Sequence, residues 1–420
     1  MLINPALPNG VSGRRKGWVK NAKKLALIAL AASLVAASFS NSFFEIFCGL
    51  FLGLSLVCVL AEKKTEILQG PFALAAGIYL LVVALTVLGS GYPAESLRGV
   101  FRVLRCVLMS LFTVYLVDEE KKFTKLFTVF AASAGLIAVD ALVQGFSGRE
   151  FLLHRGMTPY TEEVMRVTGP FRHANDFAAY LSMTVFLFLG MLPHALRKGQ
   201  KRERAWCFVG SLFLVSCLLW TYSRGAWLAV AVVYALMAVL KQSRALLLTL
   251  LVAIVLISAL SPESLKGRVR SLRDSRNGTM VERRILWEEA LRMTRERPWL
   301  GHGINTYTKI EPLFKSKSVY TDNQYAHNGY LQIAAETGWL GLGAFLAVIL
   351  AFFAETLKVH LRRQNEFLSA AALSILFGVL SFLIHSATDT NLQSLRLVSL
   401  LWLAMGLVLA AKNIAQKHPR

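Results

Sequence analysis

The stretch Phe367-Leu-Ser-Ala-Ala-Ala-Leu-Ser-Ile-Leu-Phe-Gly-Val-Leu-Ser-Phe-Leu-Ile-His385 carries no charged residue before its terminal histidine. A helix crosses the hydrocarbon of a bilayer with about 20 predominantly apolar residues. The run is too long for a strand and apolar on every face, so it predicts a membrane span rather than the half-polar helix of a soluble domain. Working outward from it, the same reading applies to runs from Leu25 to Phe39, Phe43 to Leu60, Phe72 to Leu88, Val100 to Val117, Phe123 to Phe146 and Phe177 to Leu192. It applies again to Trp206–Tyr222, Ala226–Leu240, Ala245–Leu260, Trp339–Phe353 and Leu397–Ala411. The prediction is an all-α polytopic membrane protein of about twelve spans. The first run has basic residues before it and small residues at its end, as a signal peptide does. A second run follows at once, and an uncleaved first span keeps the charge pattern consistent, so it is read as a helix.

Composition supports this. Of 420 residues, 55% are hydrophobic and 17% charged, against roughly 25% charged in soluble domains. Lys+Arg number 46 and Asp+Glu 25, a net charge of +21. On a soluble chain such a charge would suggest nucleic acid; here its distribution gives another cause. Arg14, Arg15, Lys16, Lys20, Lys23 and Lys24 precede the first run, and further clusters stand at Lys63/Lys64, Lys121/Lys122/Lys125, Arg197–Arg204, Lys241/Arg244, Lys358/Arg362/Arg363 and Lys412/Lys417/Arg420. The alternate short connections hold almost none. Lys and Arg in short loops stay cytoplasmic, which predicts both termini inside and no role in nucleic-acid binding. The implied organisation is a basic cytoplasmic arm at 1–24, helices one to nine over 25–260 with an outer connection at 147–175, a large outer, periplasmic helical loop at 261–328, the last three helices over 329–411, and a cytoplasmic tail at 412–420. Cys48, Cys58, Cys106, Cys207 and Cys217 lie in or beside apolar runs with no Cys-x-x-Cys spacing, and read as small core residues rather than ligands.

Polar residues without an evident structural purpose fall on the outer side. Thr221-Tyr222-Ser223-Arg224-Gly225-Ala226-Trp227 turns between two runs with an arginine at its tip. Arg224 has two readings, a side chain snorkelling to lipid headgroups or a guanidinium that clamps a phosphate with two donors. In the large loop, apolar Val281, Ile285, Leu286, Ala290 and Met293 have helical spacing beside Arg283 and Arg284, and Pro298 ends the pattern. The bland reading is an amphipathic helix on the outer leaflet with a solvated basic face. Gly301-His302-Gly303 is too short for a phosphate loop. Ala326-His327-Asn328-Gly329-Tyr330 puts His327 at the mouth of the next run. A lone histidine is more often structural, but this one stands where arginines can converge and its chemistry suits a general base. His385-Ser386-Ala387-Thr388-Asp389 reads as a capped turn, with an orienting role for Asp389 as the alternative. Asn175 is suited to capping the helix that follows it. Arg98, Arg102 and Arg105, spaced i, i+4, i+7, form a stripe that should face protein, a cavity or lipid phosphates.

Several of these motifs occur together and in one order: Ser223-Arg224-Gly225-Ala226, then Arg283-x3-Trp287 with Pro298-x2-Gly301-x-Gly303, then His327-Asn328-x-Tyr330-Leu331 with Glu336-x-Gly338. In that order they resemble the O-antigen ligase/O-antigen polymerase superfamily of membrane glycosyltransferases. Phe171-x3-Asn175 and His385-x3-Asp389 resemble its weaker motifs, while Arg172-His173 departs from the small residues usual there. The resemblance implies transfer of a glycan from undecaprenyl diphosphate to a hydroxyl at the outer face of the bacterial inner membrane. The acceptor is lipid A–core in a ligase and a second lipid-linked glycan in a polymerase. It implies His327 as the catalytic base, Arg224 with Arg283 or Arg284 as binders of the donor diphosphate, and no cofactor or metal. Asn328, Tyr330, His385, Asp389, Asn175, Arg98, Arg102 and Arg105 are the possible supporting residues. The ligase is the reading preferred over the polymerase, from the basic outer loop facing a phosphate-rich acceptor. A secondary transporter shares the span count, but it would place charge near the midplane in repeated halves.

Overall fold

A computed structural model describes residues 9–159, 165–240, 248, 251, 278–315, 325–362 and 366–417. The chain is almost wholly helical. In order come α1 (Asn9–Ala36), α2 (Asn41–Glu62), α3 (Pro71–Leu85), α4 (Pro93–Leu116) and α5 (Glu120–Ser147). A small antiparallel pair, β1 (Thr158–Pro159) and β2 (Met165–Arg166), follows. Then come α6 (Ala174–Leu189), α7 (Leu192–Lys198), α8 (Lys201–Trp220), α9 (Arg224–Leu240), α10 (Gly278–Glu296), α11 (Tyr307–Phe314), α12 (Gly329–Arg362), α13 (Glu366–Ser386) and α14 (Leu395–Lys417).

Among the described residues, nine helices are long and apolar enough to cross a membrane. The expected runs at 226–240 and 25–39 differ from these. α9 is apolar but only 17 residues long, and the apolar part of α1 is preceded by Lys20, Lys23 and Lys24. The expected run Ala245–Leu260 lies, except for residues 248 and 251, outside the described residues. The spans are not equivalent: 83% of the α13 window and 89% of the α14 window are buried in protein, against 28% for α2. α13 and α14 therefore form the centre of the bundle. α6 packs on α13, α4 on α14, and α1 and α2 form an outer pair.

Local chemistry sets the helix ends. Ser40 accepts from Phe43 N to cap α2, and Pro71 and Pro93 stand at the starts of α3 and α4, where a missing N–H costs nothing. The sharpest feature is in α12, where Gly338 takes φ 67° and ψ −175°, a conformation open only to glycine. The groups freed at this kink are taken by the turn after α10. Trp339 N donates to Pro298 O (2.7 Å), His302 N to Ala335 O (3.1 Å) and Gly303 N to Glu336 O (2.8 Å). The Glu336 carboxylate, buried, accepts from Asn305 N (3.0 Å) and Tyr307 N (3.2 Å). Pro298 to Tyr307 are thus stitched onto α12, which fixes α10 above it.

Candidate active site

α10 follows the expected helical pattern, but its apolar face does not lie on lipid. Ala290 and Met293 pack with Tyr307, Ile310, Ala326 and Ala335 in one buried cluster, while Val281 stays 40% exposed. Docking by this face turns Arg283 and Trp287, one helical turn apart, toward the His327 segment. Trp287 Nε1 donates to His327 O at 3.4 Å. Arg284, next in sequence, is exposed, so of the two adjacent arginines only Arg283 faces inward.

His327 has φ 47°, a left-handed conformation that lets the chain turn sharply into α12. Asn328 Oδ1 caps that helix, accepting from Tyr330 N (3.0 Å) and Leu331 N (3.1 Å). Tyr330 Oη donates to Leu383 O at 2.8 Å, tying α12 to α13. His327 Nδ1 lies 3.3 Å from Asp389 Oδ1, and Arg283 Nη2 lies 3.7 Å from Asp389 Oδ2. Gly329 N donates to the Asp389 carbonyl at 3.1 Å. The turn after α13 is therefore more than a cap, because its aspartate joins His327 to Arg283. The ring donates to the carboxylate through Nδ1, which leaves Nε2 as a lone-pair acceptor on a side chain that remains one-third exposed (33%).

Electrostatics agree with the geometry. Burial alone would push the Asp389 carboxyl up, but the hydrogen bond and charge of His327, with His385 and Arg283, hold it well below the usual carboxylate range. Asp389 Oδ2 and His385 Nδ1 are buried without hydrogen-bond partners, so this pocket of polar atoms is incompletely satisfied by the protein itself.

Arg224 opens α9 and is buried (8% exposed). Ser223 Oγ sits 3.4 Å from His385 Nε2. A Cβ on Gly225 would strike Thr388 Oγ1 and the His385 ring, so the Ser223–Gly225 turn lies directly against the turn that carries Asp389. Arg283, His327 and Asp389 thus form one constellation assembled from distant parts of the chain, with His385 and the turn that carries Arg224 packed beside it.

Other expected residues lie around it or apart. Asn175 does not cap α6; His173 holds that position without a side-chain cap bond. Asn175 instead accepts from Arg166 Nη2 (2.6 Å), and Arg166 Nε donates to Thr221 O (2.5 Å). Arg166 thereby fastens the 147–175 connection to the Arg224 turn, a role for which its sequence surroundings carried no signal. The arginine stripe is divided. Arg98 pairs with Glu95, Arg102 donates to Gln393 O (3.3 Å), and Arg105 pairs with Glu45 beside the Phe44 ring. Only Arg102 approaches the Asp389 turn, through its far end. Arg396 lies 3.8 Å over the Phe171 ring; its position at the start of an apolar run was the available signal. Among the described residues no group of three or more His, Cys, Asp or Glu side chains could hold a metal ion.

A histidine oriented by a carboxylate that a guanidinium also meets is suited to taking a proton from a hydroxyl next to a bound anion. Comparison with known proteins gives the chemical setting. Residues 209–346 match the O-antigen ligase family. That segment contains Arg224, Arg283 and His327, and it bears out the resemblance read from the motifs. The chain is also 23% identical over 374 residues, 84% of its length and 80% of the relative's, to the exopolysaccharide production protein ExoQ of Rhizobium meliloti (strain 1021). It is 22% identical over 320 residues, 70% of its length, to a general O-oligosaccharyltransferase of Acinetobacter baylyi (strain ATCC 33305 / BD413 / ADP1), of which it spans 52%. These likenesses support a glycan ligase- or polymerase-type function in the membrane.

Proposed function

We propose that this O-antigen ligase-like protein transfers a glycan from undecaprenyl diphosphate to an acceptor hydroxyl at the outer, periplasmic face of the bacterial inner membrane. The observation that carries the reading is the contact of His327 and Arg283 with one buried carboxylate, Asp389. His327 Nε2 takes the proton of the acceptor hydroxyl as its oxygen attacks the anomeric carbon, a contribution of ~10²–10⁴-fold in general-base catalysis. Asp389 holds the ring and stabilises the imidazolium that forms. Arg224 and Arg283 bind the diphosphate and offset the charge it gains as the C1–O bond breaks. Diphosphate is a good leaving group, so one inverting displacement needs neither a general acid nor a metal.

The acceptor we favour is lipid A–core, which makes the chain a ligase. The basic connection at 261–328 suits a phosphate-rich acceptor. A polymerase acting on a second lipid-linked glycan is the alternative, favoured by the likeness to an exopolysaccharide production protein over most of the chain. Gel analysis of surface polysaccharide from a deletion strain separates them. Polymer missing from lipid A–core while long lipid-linked chains accumulate means ligase; single repeat units left on the core mean polymerase. For the chemistry, reconstituted His327→Ala protein should lose transfer by ~10²-fold or more, and full activity in that variant would remove the base from the mechanism.

A further inference from the structure

We propose that a cavity at the other end of the bundle binds the phosphate headgroup of an anionic membrane lipid. The cavity, of about 910 Å³, is walled by α1, the end of α2 and the turn between α4 and α5. Tyr115 on its wall and Arg102 near the Asp389 turn lie on the same helix, about 20 Å apart by helical rise, so this site is separate from the transfer chemistry and does not rest on it.

The charges on the wall are unequally matched. Glu62 is held by Lys23 Nζ (2.7 Å) and by the Tyr115 hydroxyl, which donates to it at 2.8 Å. Asp118 and Glu119 both pair with Lys122, at 2.5 and 3.2 Å. Lys23 also lies over the Tyr115 ring, 4.6 Å from its centroid. Every acidic group on the wall is thus engaged by a lysine within the protein, Asp118 and Glu119 sharing one, so that with Lys20 and Lys24 the four lysines of the lining outnumber its three carboxylates. Lys20 and Lys24 line the same cavity and, among the described residues, have no carboxylate within 4.0 Å. They stand four apart on α1 and so present their ammonium groups on one side of it. Leu27, a turn further on, and Leu116 opposite give the cavity an apolar wall. A site with uncommitted ammonium groups and an adjoining apolar wall fits an amphiphile with a phosphate rather than a small soluble anion. Basic pockets between membrane helices commonly take anionic headgroups.

The test uses the full chain in neutral detergent, titrated with phosphatidylglycerol or phosphatidylcholine and read by native mass spectrometry. Wild type should hold phosphatidylglycerol on the order of tenfold more tightly than phosphatidylcholine, the scale expected of a pair of lysines facing a phosphate. Lys20→Gln/Lys24→Gln should lose that preference, and each single variant should lose part of it. Lys63→Gln/Lys64→Gln, which removes the same charge outside the cavity, should keep it. The proposal fails if wild type shows no preference, if the single and double cavity variants all retain it, or if the control loses as much. Displacement of the lipid by millimolar inorganic phosphate would also overturn it, because the site would then take a soluble phosphate.

Discussion

At the residue scale, Asp389 shows how burial and partners divide the control of one group. An unpaired carboxylate so deeply buried would be costly, and it is held ionised here by His327 and Arg283 at its two oxygens. Asn in its place would offer an N–H where the ring needs an acceptor and favour the tautomer that leaves Nε2 protonated. Asp389→Asn should therefore reduce turnover by ~10²-fold with little change in donor affinity, measured by transfer kinetics in proteoliposomes. The same carboxyl loses its proton more readily in the folded chain than at its unfolded value of about 3.9. Its stabilisation is complete above that value and drains away as acid titrates the folded group below it. Thermal unfolding in detergent should thus show a smaller loss from pH 5 to acid (about two units lower) for Asp389→Asn than for wild type.

At the element scale, the connections do the positioning. Gly338 gives α12 a kink whose freed groups bind the 298–303 turn, and a Cβ there would strike the Trp299 carbonyl. Gly338→Ala should cost at least the ~1–3 kcal/mol of forcing a non-glycine residue into that conformation. The expected readout is a lowered unfolding temperature together with faster proteolysis at α10. The 147–175 connection has a different weak point. Glu150 is buried, and burial first, then the nearby carboxylate of Asp140, raise its carboxyl to about 7. A raised acid favours its protonated form in the folded state, so stability falls as pH rises from the unfolded value of about 4.3 through 7. Glu150→Gln should remove that fall, and its advantage over wild type in unfolding temperature should grow up to about pH 8.

At the scale of the whole molecule, orientation is the property that the charge distribution argues most directly. If short basic connections lie inside, then Lys201 at the start of α8 and Arg295 on α10 face opposite compartments. Both side chains are exposed. A cysteine at Arg295 should react with an impermeant maleimide added to cells whose outer barrier has been opened. One at Lys201 should react only after the inner membrane is lysed, and the reverse pattern would invert the topology.

The apolar runs were legible in the sequence because a bilayer span imposes a length and a composition on contiguous residues, a local constraint that survives without any knowledge of packing. The α10 pattern and its stop at Pro298 were legible for the same reason, and the order of the motifs singled out His327, Arg224 and Arg283 as the residues of the proposed site. What neighbours what was not. Spacing could not choose between Arg283 and Arg284, because both fit the helix and only docking of the Ala290/Met293 face turns one inward. It misassigned Asn175 as a cap, since the competing partner Arg166 comes from another segment. It treated Arg98, Arg102 and Arg105 as a set, although each meets a partner from a different element. The sequence by itself determined that this chain lives in a membrane and which side chains are chemically unusual. Only the tertiary structure decided that Asp389 stands between His327 and Arg283, because a contact across 62 residues is set by how α10, α12 and α13 pack and leaves no periodic trace along the chain.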